Sequence, residues 1–92
     1  MIEIDALRNY LKAQPVLKAY LFGSSVRGNQ DDNSDIDLLV ELAPEMNLFA
    51  FAKMKIQLEE LLQKQVDLVS ANGLSAHIKP FIDSEKVLIY ER

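Results

Sequence analysis

The chain has 92 residues, of which 49% are hydrophobic, so it can bury one core, and we expect residues 1–92 to form a single domain. It contains no cysteine, which excludes disulfides and thiolate metal sites and favours a reducing compartment, so a cytoplasmic protein is expected. The formal charge of -4 opposes attraction to a phosphate backbone, so nucleic acid is not an expected direct partner. No apolar run approaches the ~20 residues of a membrane span, so a membrane is not an expected partner either.

The first half of the chain predicts one helix followed by two strands. Ile4, Leu7 and Leu11 recur at helical spacing, and Pro15 marks the end of that helix. Two segments rich in strand-forming residues follow, separated by a loop of turn composition: residues 16–22 (VLKAYLF), 28–34 (GNQDDNS) and 35–42 (DIDLLVEL). We expect the two strands to pair as a hairpin with a long polar connection.

The second half predicts two helices that alternate with two strands. An apolar stripe at spacings of three and four indicates an amphipathic helix from residue 48 to about residue 64, and it consists of Leu48, Phe51, Met54, Leu58, Leu61 and Leu62. Residues 65–70 (QVDLVS) predict a strand, residues 75–84 a short helix with Pro80 in its first turn or at a kink, and residues 87–90 (VLIY) a last strand. The predicted fold class is therefore α+β, with a small mixed sheet packed against α-helices.

Two aspartates stand at the beginning of the second predicted strand. Because strand side chains alternate between faces, Ile36, Leu38 and Val40 point to the core, while Asp35 and Asp37 project together from the other face. Their spacing along the strand is about 6.5 to 7 Å, so the two carboxylates repel each other. A divalent cation removes this repulsion, and hard oxygen ligands favour magnesium or manganese over zinc.

A third aspartate has the same setting in the next predicted strand. Val66 and Leu68 face one way and Asp67 the other, so Asp67 joins the first two aspartates if this strand lies beside the second one. Three carboxylates around hard metals suggest phosphoryl chemistry, because two ions about 3.5 to 4 Å apart can stabilise the attacking and leaving oxygens of an in-line displacement.

Gly23 and Ser24 follow the first predicted strand and have the composition of a phosphate-contacting turn. The glycine lets the backbone turn and approach a ligand closely, and the serine offers a hydroxyl and a backbone N–H. Arg27 is either a clamp on the same phosphates or a partner of Asp31 or Asp32 in the polar loop. The segment GSSVRG is not a P-loop, since it lacks the Gly-Lys-Ser/Thr ending of that motif.

These residues resemble the GS-x10-DxD signature of the polymerase-β-like nucleotidyltransferase superfamily. Gly23 and Ser24 match its beginning, Asp35 and Asp37 match its end, and Asp67 stands at the position of its third carboxylate. The size of the chain and its tail resemble the minimal nucleotidyltransferase (MNT) family. The resemblance implies the nucleotidyltransferase fold, which is the palm of polymerase β.

The resemblance also implies an activity and a partner. Gly23 and Ser24, with Arg27, would bind ATP through its phosphates, Asp35 and Asp37 would hold two Mg²⁺ ions, and Asp67 would bind the ion at the nucleophile or accept its proton. Members of the family are often the antitoxin of a HEPN-MNT toxin-antitoxin pair and transfer AMP to a tyrosine of the HEPN ribonuclease, which implies a hetero-oligomer.

Two other functions stay open at the level of the sequence. The first is a non-catalytic antitoxin that neutralises its partner by occlusion, and the second is a small-molecule or RNA nucleotidyltransferase that works with a separate subunit. Few residues remain for a second substrate pocket, so we expect a partner to hold or to be the acceptor. The predicted helix at residues 48–64 and the apolar C-terminal segment are either core elements or the partner-facing surface, and His77 is expected at the surface rather than as a base.

Overall fold

The computed structural model describes residues 4–27 and 35–92, and the side chains of Ser24 and Arg27 are not described. A short 3₁₀ turn, Ala71–Gly73, lies between the third strand and the last helix. The elements in chain order are α1 (Ile4–Lys12), β1 (Val16–Leu21), α2 (Ser24–Arg27), β2 (Ile36–Leu42), α3 (Leu48–Leu62), β3 (Val66–Ser70), α4 (Lys79–Glu85) and β4 (Val87–Glu91).

The four strands form one mixed sheet in the order β3-β2-β1-β4. β1 pairs antiparallel with both β2 and β4, whereas β2 and β3 are parallel. Parallel neighbours require a crossover connection, and α3 supplies it between β2 and β3. The predicted fold class, a small mixed sheet packed against helices, is confirmed, as is the pairing of the first two strands.

The main core lies between one face of the sheet and the helices α1 and α3. Ile36, Leu38 and Val40 of β2 have no solvent exposure, as their alternation predicts. They belong to one cluster with the buried residues of the two helices, which are Leu7, Leu11, Met54 and Leu58. Burial of alternate strand residues on this face leaves the intervening residues, Asp37 among them, on the opposite face.

The opposite face of the sheet is partly covered, which the sequence did not predict. Strand alternation places Leu39 on the same face as Asp37, yet Leu39 is only 1% exposed. Ile82 of α4 is 5% exposed, and neither residue belongs to the main core cluster. The ammonium of Lys86, directly after α4, lies 4.4 Å from the centre of the Tyr20 ring, and Tyr20 pairs with Leu39 across β1 and β2. The end of α4 therefore lies over this second face.

The helices predicted at residues 48–64 and 75–84 differ at their ends from the observed helices α3 and α4. The end of α3 falls at Leu62 rather than near residue 64, because Gln63 adopts the left-handed conformation with φ 55°. The prediction that the last helix begins at residue 75 is wrong, since α4 begins at Lys79, with Pro80 in its first turn. The apolar stripe of α3 is also only partly buried, since Leu48 is 81% exposed. No helix within the described residues is long and apolar enough to span a membrane.

Candidate functional site

The functional residues predicted from the sequence lie at one end of the sheet. This end is formed by the last residue of β1 and the first residues of β2, β3 and β4, since Leu21 pairs with both Leu38 and Val87. On the other side of β2, Ile36 pairs with Val66. The chain leaves β1 at this end through Gly23 and returns to it at Asp35, so the turn and the aspartates lie close together.

Asp37 and Asp67 face each other across β2 and β3. The parallel register pairs their Cα atoms directly, and neighbouring strands of a sheet lie about 4.7 to 4.9 Å apart. The Asp67 residue is exposed and Asp37 is half-buried, so both can be approached from solvent. The conditional prediction that Asp67 joins the aspartates of the second strand is therefore met for Asp37.

Asp35 stands directly before β2 and is exposed. Strand alternation places it on the side of Asp37, as the sequence indicates. Within residues 4–27 and 35–92, however, no three acidic, histidine or cysteine side chains are close enough to hold one metal ion together. The structure therefore brings Asp37 and Asp67 together as a directly paired couple, and the expectation that Asp35, Asp37 and Asp67 hold two ions stays a prediction.

The turn after β1 depends on the absence of a side chain at Gly23. This residue has a φ of 62°, in the left-handed region that favours glycine. A Cβ atom built on it would overlap Oδ2 of Asp37 and would lie 3.1 Å from the Cγ atom of Asp37. Gly23 is therefore required both by the backbone conformation and by the carboxylate that packs against its Cα.

Hydrogen bonds of the Asp37 backbone connect this turn to the start of β2. The N–H of Phe22 donates to the carbonyl oxygen of Asp37 at 3.2 Å, and the N–H of Val26 donates to the carbonyl oxygen of Gly23 at 3.1 Å. The N–H of Asp37 donates to Oγ of Ser25 at 2.9 Å. The backbone of Asp37 is therefore tied to the turn at both its N–H and its carbonyl oxygen.

A fourth carboxylate, which sequence reasoning missed, also contacts the turn. Oε1 of Glu85, at the end of α4, accepts a hydrogen bond from the N–H of Gly23 at 3.0 Å across 62 residues of sequence. A glutamate near the end of a short charged helix carries no local signal of such a contact. Only the packing of α4 against the sheet brings Glu85 to the turn.

The remaining predicted residues fall into three groups. Ser24 and Arg27 form the two ends of the short helix α2, and their side chains are not described. Asp31 and Asp32 lie outside the described residues. His77 lies in the turn before α4 and is exposed, in agreement with its expected surface position.

The second face of the sheet also carries an ionisable group whose pKa is shifted. Burial raises the pKa of Tyr20 above its ordinary value of 10.0, and the hydrogen bond that its hydroxyl donates to Oε2 of Glu41 at 2.9 Å raises it further. Lys86, over the Tyr20 ring, is also 2.9 Å from Asp83. Tyr20 is therefore a packed residue that keeps its proton.

An apolar groove lies at the other end of the sheet from the aspartates. It has a volume of about 360 Å³ and is lined by Leu42, Met46, Asn47, Leu48, Phe51 and Ser70. Leu42 is five residues along β2 from Asp37, a distance of about 17 Å. The groove is therefore separate from the candidate site.

The arrangement of two in-register carboxylates and a glycine turn can be compared with known proteins. A family model described as polymerase beta, nucleotidyltransferase, matches residues 5–92. Since this match covers nearly the whole chain, the chain belongs to that nucleotidyltransferase family, and it is an enzyme of the nucleotidyltransferase class. The family resemblance of the GS-x10-DxD segment is thereby confirmed.

Individual relatives identify a narrower group within the family. The chain is 39% identical over 72 residues to MJ0435 of Methanocaldococcus jannaschii, a protein named for protein adenylyltransferase activity. The aligned region covers 78% of this chain and 77% of the relative. It is 36% identical over 69 residues to the protein adenylyltransferase MntA of Thermococcus cleftensis, and the alignment covers 75% of this chain and 70% of the relative. Among solved structures, a toxin-antitoxin with AMP-PNP superposes with a TM-score of 0.85 at 25% identity, covering 99% of this chain and 75% of that chain.

Proposed function

We propose that this protein transfers AMP from ATP to a hydroxyl group of a partner protein, namely a tyrosine of a HEPN-type toxin, and acts in the cytoplasm as the antitoxin of the pair. The observation that carries the proposal is the pairing of Asp37 with Asp67 beside the Gly23 turn. Relatives that are named for protein adenylyltransferase activity support the transferred group and the kind of acceptor. The structural neighbour with AMP-PNP supports ATP as the donor and a toxin as the partner.

The carboxylates fit a requirement for Mg²⁺. Two like charges on directly paired strand residues repel each other, and a divalent cation offsets this repulsion. Both side chains offer only hard oxygen atoms, and both are open to solvent, as an ion that keeps part of its water requires. Asp37 and Asp67 would hold the ion, with Asp35 beside them, and the ion would neutralise the charge of the triphosphate.

The protein residues then orient the two substrates. The turn at Gly23 and Ser24 binds the β- and γ-phosphates, and Arg27 assists it at the end of α2. The acceptor hydroxyl attacks the α-phosphorus, its proton passes to Asp67, and the bond from the α-phosphorus to the bridging oxygen breaks to release pyrophosphate. Positioning and charge neutralisation provide most of the rate, since the protein forms no covalent bond with the substrate.

The acceptor must be presented by another molecule. The apolar groove lies at the opposite end of the sheet from the aspartates, so it does not hold a second substrate beside them. Asp67 is exposed, so a tyrosine on the surface of a partner can reach it. A protein acceptor therefore fits this site better than a small molecule, and a hetero-oligomer follows from it.

The test is intact-mass spectrometry of the HEPN partner after incubation with this protein, ATP and MgCl₂. We expect the partner to gain mass in units of AMP, and replacement of its acceptor tyrosine by phenylalanine should abolish the gain. Asp37→Asn combined with Asp67→Asn should abolish it as well. Asp5→Asn is the matched control, because Asp5 is an exposed aspartate of α1 on the other side of the sheet.

The result that would overturn the proposal is a partner that stays unmodified although it binds this protein. If the double variant then neutralised the toxin as well as the wild-type protein does, neutralisation would occur by occlusion. Omission of MgCl₂ with added EDTA tests the metal requirement separately, and full transfer under those conditions would contradict it.

A further inference from the structure

Glu85 connects the C-terminal part of the fold to the turn that is proposed to bind the phosphates. Its Oε1 accepts the hydrogen bond of the Gly23 N–H at 3.0 Å. Glu85 is the last residue of α4 and is half-buried. It lies outside the glycine-serine and aspartate motifs.

The contact completes the hydrogen bonding of the Gly23 backbone. The N–H of this residue is held by Glu85, and its carbonyl oxygen accepts from the N–H of Val26 at 3.1 Å. On the side of its Cα, the carboxylate of Asp37 leaves no room for a Cβ atom. The peptide of Gly23 is thus held between two carboxylates, one from β2 and one from α4.

The position of Glu85 is in turn determined by the packing of α4. Ile82, one turn earlier, is buried. Lys86, the next residue, lies 4.4 Å from the centre of the Tyr20 ring and 2.9 Å from Asp83. With contacts on both sides of it along the chain, Glu85 is held in place before any ligand binds.

We propose that Glu85 is a positioning residue for nucleotide binding. Its carboxylate holds the Gly23 N–H and so keeps the Gly23-Ser24 turn in the conformation that receives the triphosphate. Hydrogen bonds to an ionised acceptor are roughly twice as strong as neutral ones, which suits a carboxylate for this task. The inference rests on the proposed function, since it concerns the same nucleotide site.

The same geometry would also allow Glu85 to weaken nucleotide binding, which is the main competing explanation. A carboxylate on the Gly23 N–H occupies a donor that a phosphate oxygen could use, and its negative charge repels the triphosphate. In that case Glu85 would compete with the nucleotide, and its removal would tighten binding. The two explanations predict changes of opposite sign, so one measurement separates them.

The experiment measures binding of AMP-PNP with MgCl₂ by calorimetry for wild type, Glu85→Gln and Glu85→Ala. Glu85→Gln keeps an oxygen that can accept from Gly23, whereas Glu85→Ala removes it. We expect Glu85→Ala to raise Kd roughly tenfold and Glu85→Gln to raise it about two- to threefold. In the transfer reaction, KM for ATP should rise in parallel while kcat stays within about twofold, because the turn binds the ground state and the transition state alike.

Glu91 at the far end of β4 supplies the matched control. Glu91→Gln and Glu91→Ala change the net charge equally, but Glu91 is exposed and pairs with Lys18 at 3.5 Å, away from the turn. These variants should bind AMP-PNP as wild type does. Exchange of the Gly23 amide hydrogen, followed by NMR without nucleotide, should accelerate in Glu85→Ala and not in Glu91→Ala.

Each outcome bears on a definite part of the inference. If wild type binds AMP-PNP and folded Glu85→Ala binds it equally well or more tightly, the positioning role is wrong and the proposed function stands. If Glu91→Ala weakens binding as much as Glu85→Ala does, the loss does not come from the hydrogen bond to Gly23, and the role is also wrong. If wild type does not bind the nucleotide, the proposed function itself fails.

Discussion

The contact between Gly23 and Asp37 shows how one residue position serves both the fold and the site. Gly23 allows the left-handed turn after β1, and its lack of a side chain makes room for the carboxylate of Asp37. The two requirements coincide at the same atom, where any other residue would place its Cβ. A single methyl group added there therefore affects backbone strain and site geometry together.

Gly23→Ala should lower both stability and activity. We expect a loss of about 1 to 3 kcal/mol in the free energy of unfolding from the left-handed conformation. Displacement of Asp37 should lower the rate of AMP transfer by roughly 100-fold. Urea denaturation and a transfer assay measure the two effects.

Gly73 provides the control for this substitution. A Cβ atom at Gly73 would meet nothing within 4 Å, and its φ lies outside the left-handed region. Gly73→Ala should therefore leave transfer unchanged and keep or slightly raise stability. Equal losses in the two alanine variants would contradict the role assigned to Gly23.

Tyr20 predicts a pH dependence of stability. Burial and the hydrogen bond to Glu41 raise its pKa in the folded protein above the ordinary value of 10.0. Above that value the unfolded chain loses the proton first, so the folded protein binds more protons and stability falls as pH rises. The stabilisation is fully present below pH 10 and is lost as pH rises through the folded pKa.

Tyr20→Phe should therefore make stability less dependent on pH in the alkaline range. We expect the wild-type protein to lose more unfolding free energy than the variant between pH 9 and a pH above the folded pKa of Tyr20. Urea denaturation at a series of pH values measures this, with Tyr90→Phe as the control in the same sheet. A variant with the same alkaline slope as wild type would show that Tyr20 does not contribute.

At the scale of elements, the parallel pair of β2 and β3 brings the two aspartates together. α3 begins at the Asn47 cap, whose Oδ1 accepts from the N–H of Ala50 at 2.8 Å, and returns the chain to the start of β3. The register that follows pairs Asp37 with Asp67 and Ile36 with Val66. The same register therefore buries the apolar pair and opposes the two charges.

Asp67→Asn should raise stability in the absence of metal while it abolishes transfer. Removal of one of two opposed charges should add a few tenths to about 1 kcal/mol to the unfolding free energy in EDTA. Addition of MgCl₂ should stabilise wild type and leave the variant nearly unchanged. Urea denaturation with EDTA or MgCl₂ checks both statements, and an Asp67→Asn protein less stable than wild type in EDTA would refute the first.

At the scale of the whole molecule, the two ends of the sheet differ in character. One end carries the glycine turn and the aspartates, and the other carries the apolar groove together with Phe49, which is 89% exposed. The radius of gyration is 12.4 Å, close to the ~12 Å expected for a compact domain of this length. This supports our proposal that residues 1–92 form one domain.

Nucleotide binding at one end should stabilise the molecule as a whole. AMP-PNP with MgCl₂ at 100 times its Kd should add about 2.7 kcal/mol to the unfolding free energy, because only the folded state forms the site. The rise in Tm should be several degrees and should be absent for Asp37→Asn combined with Asp67→Asn. A thermal scan shows this, and an equal shift in the double variant would mean that the nucleotide binds elsewhere.

Much of the fold and of the site follows from local sequence pattern. Strand alternation places Ile36, Leu38 and Val40 in the core, and the structure buries all three. A glycine between a strand and a helix start indicates a tight turn, and Gly23 forms one. The identity of the aspartates as a potential site depends on spacing along one strand, which the chain itself determines.

The contributions of residues distant in sequence depend on tertiary packing. The sequence allows Asp67 to join the other aspartates only if β3 lies beside β2 in a particular register, and the crossover through α3 decides this. Leu39 is buried although its face was expected to be open, because α4 returns to that side of the sheet. The exposure of Leu48 in an otherwise apolar stripe likewise depends on where α3 leaves the core.

The sequence by itself determined the mixed sheet, the glycine turn, the pair of aspartates at the start of β2 and the family to which the chain belongs. These features depend on the period of side chains along a strand and on the conformational freedom of glycine, which act over a few residues. Only the tertiary structure decided that Asp67 opposes Asp37 and that Glu85 holds the N–H of Gly23. Such contacts join residues far apart in sequence, and the packing of α3 and α4 on the sheet determines which of them form.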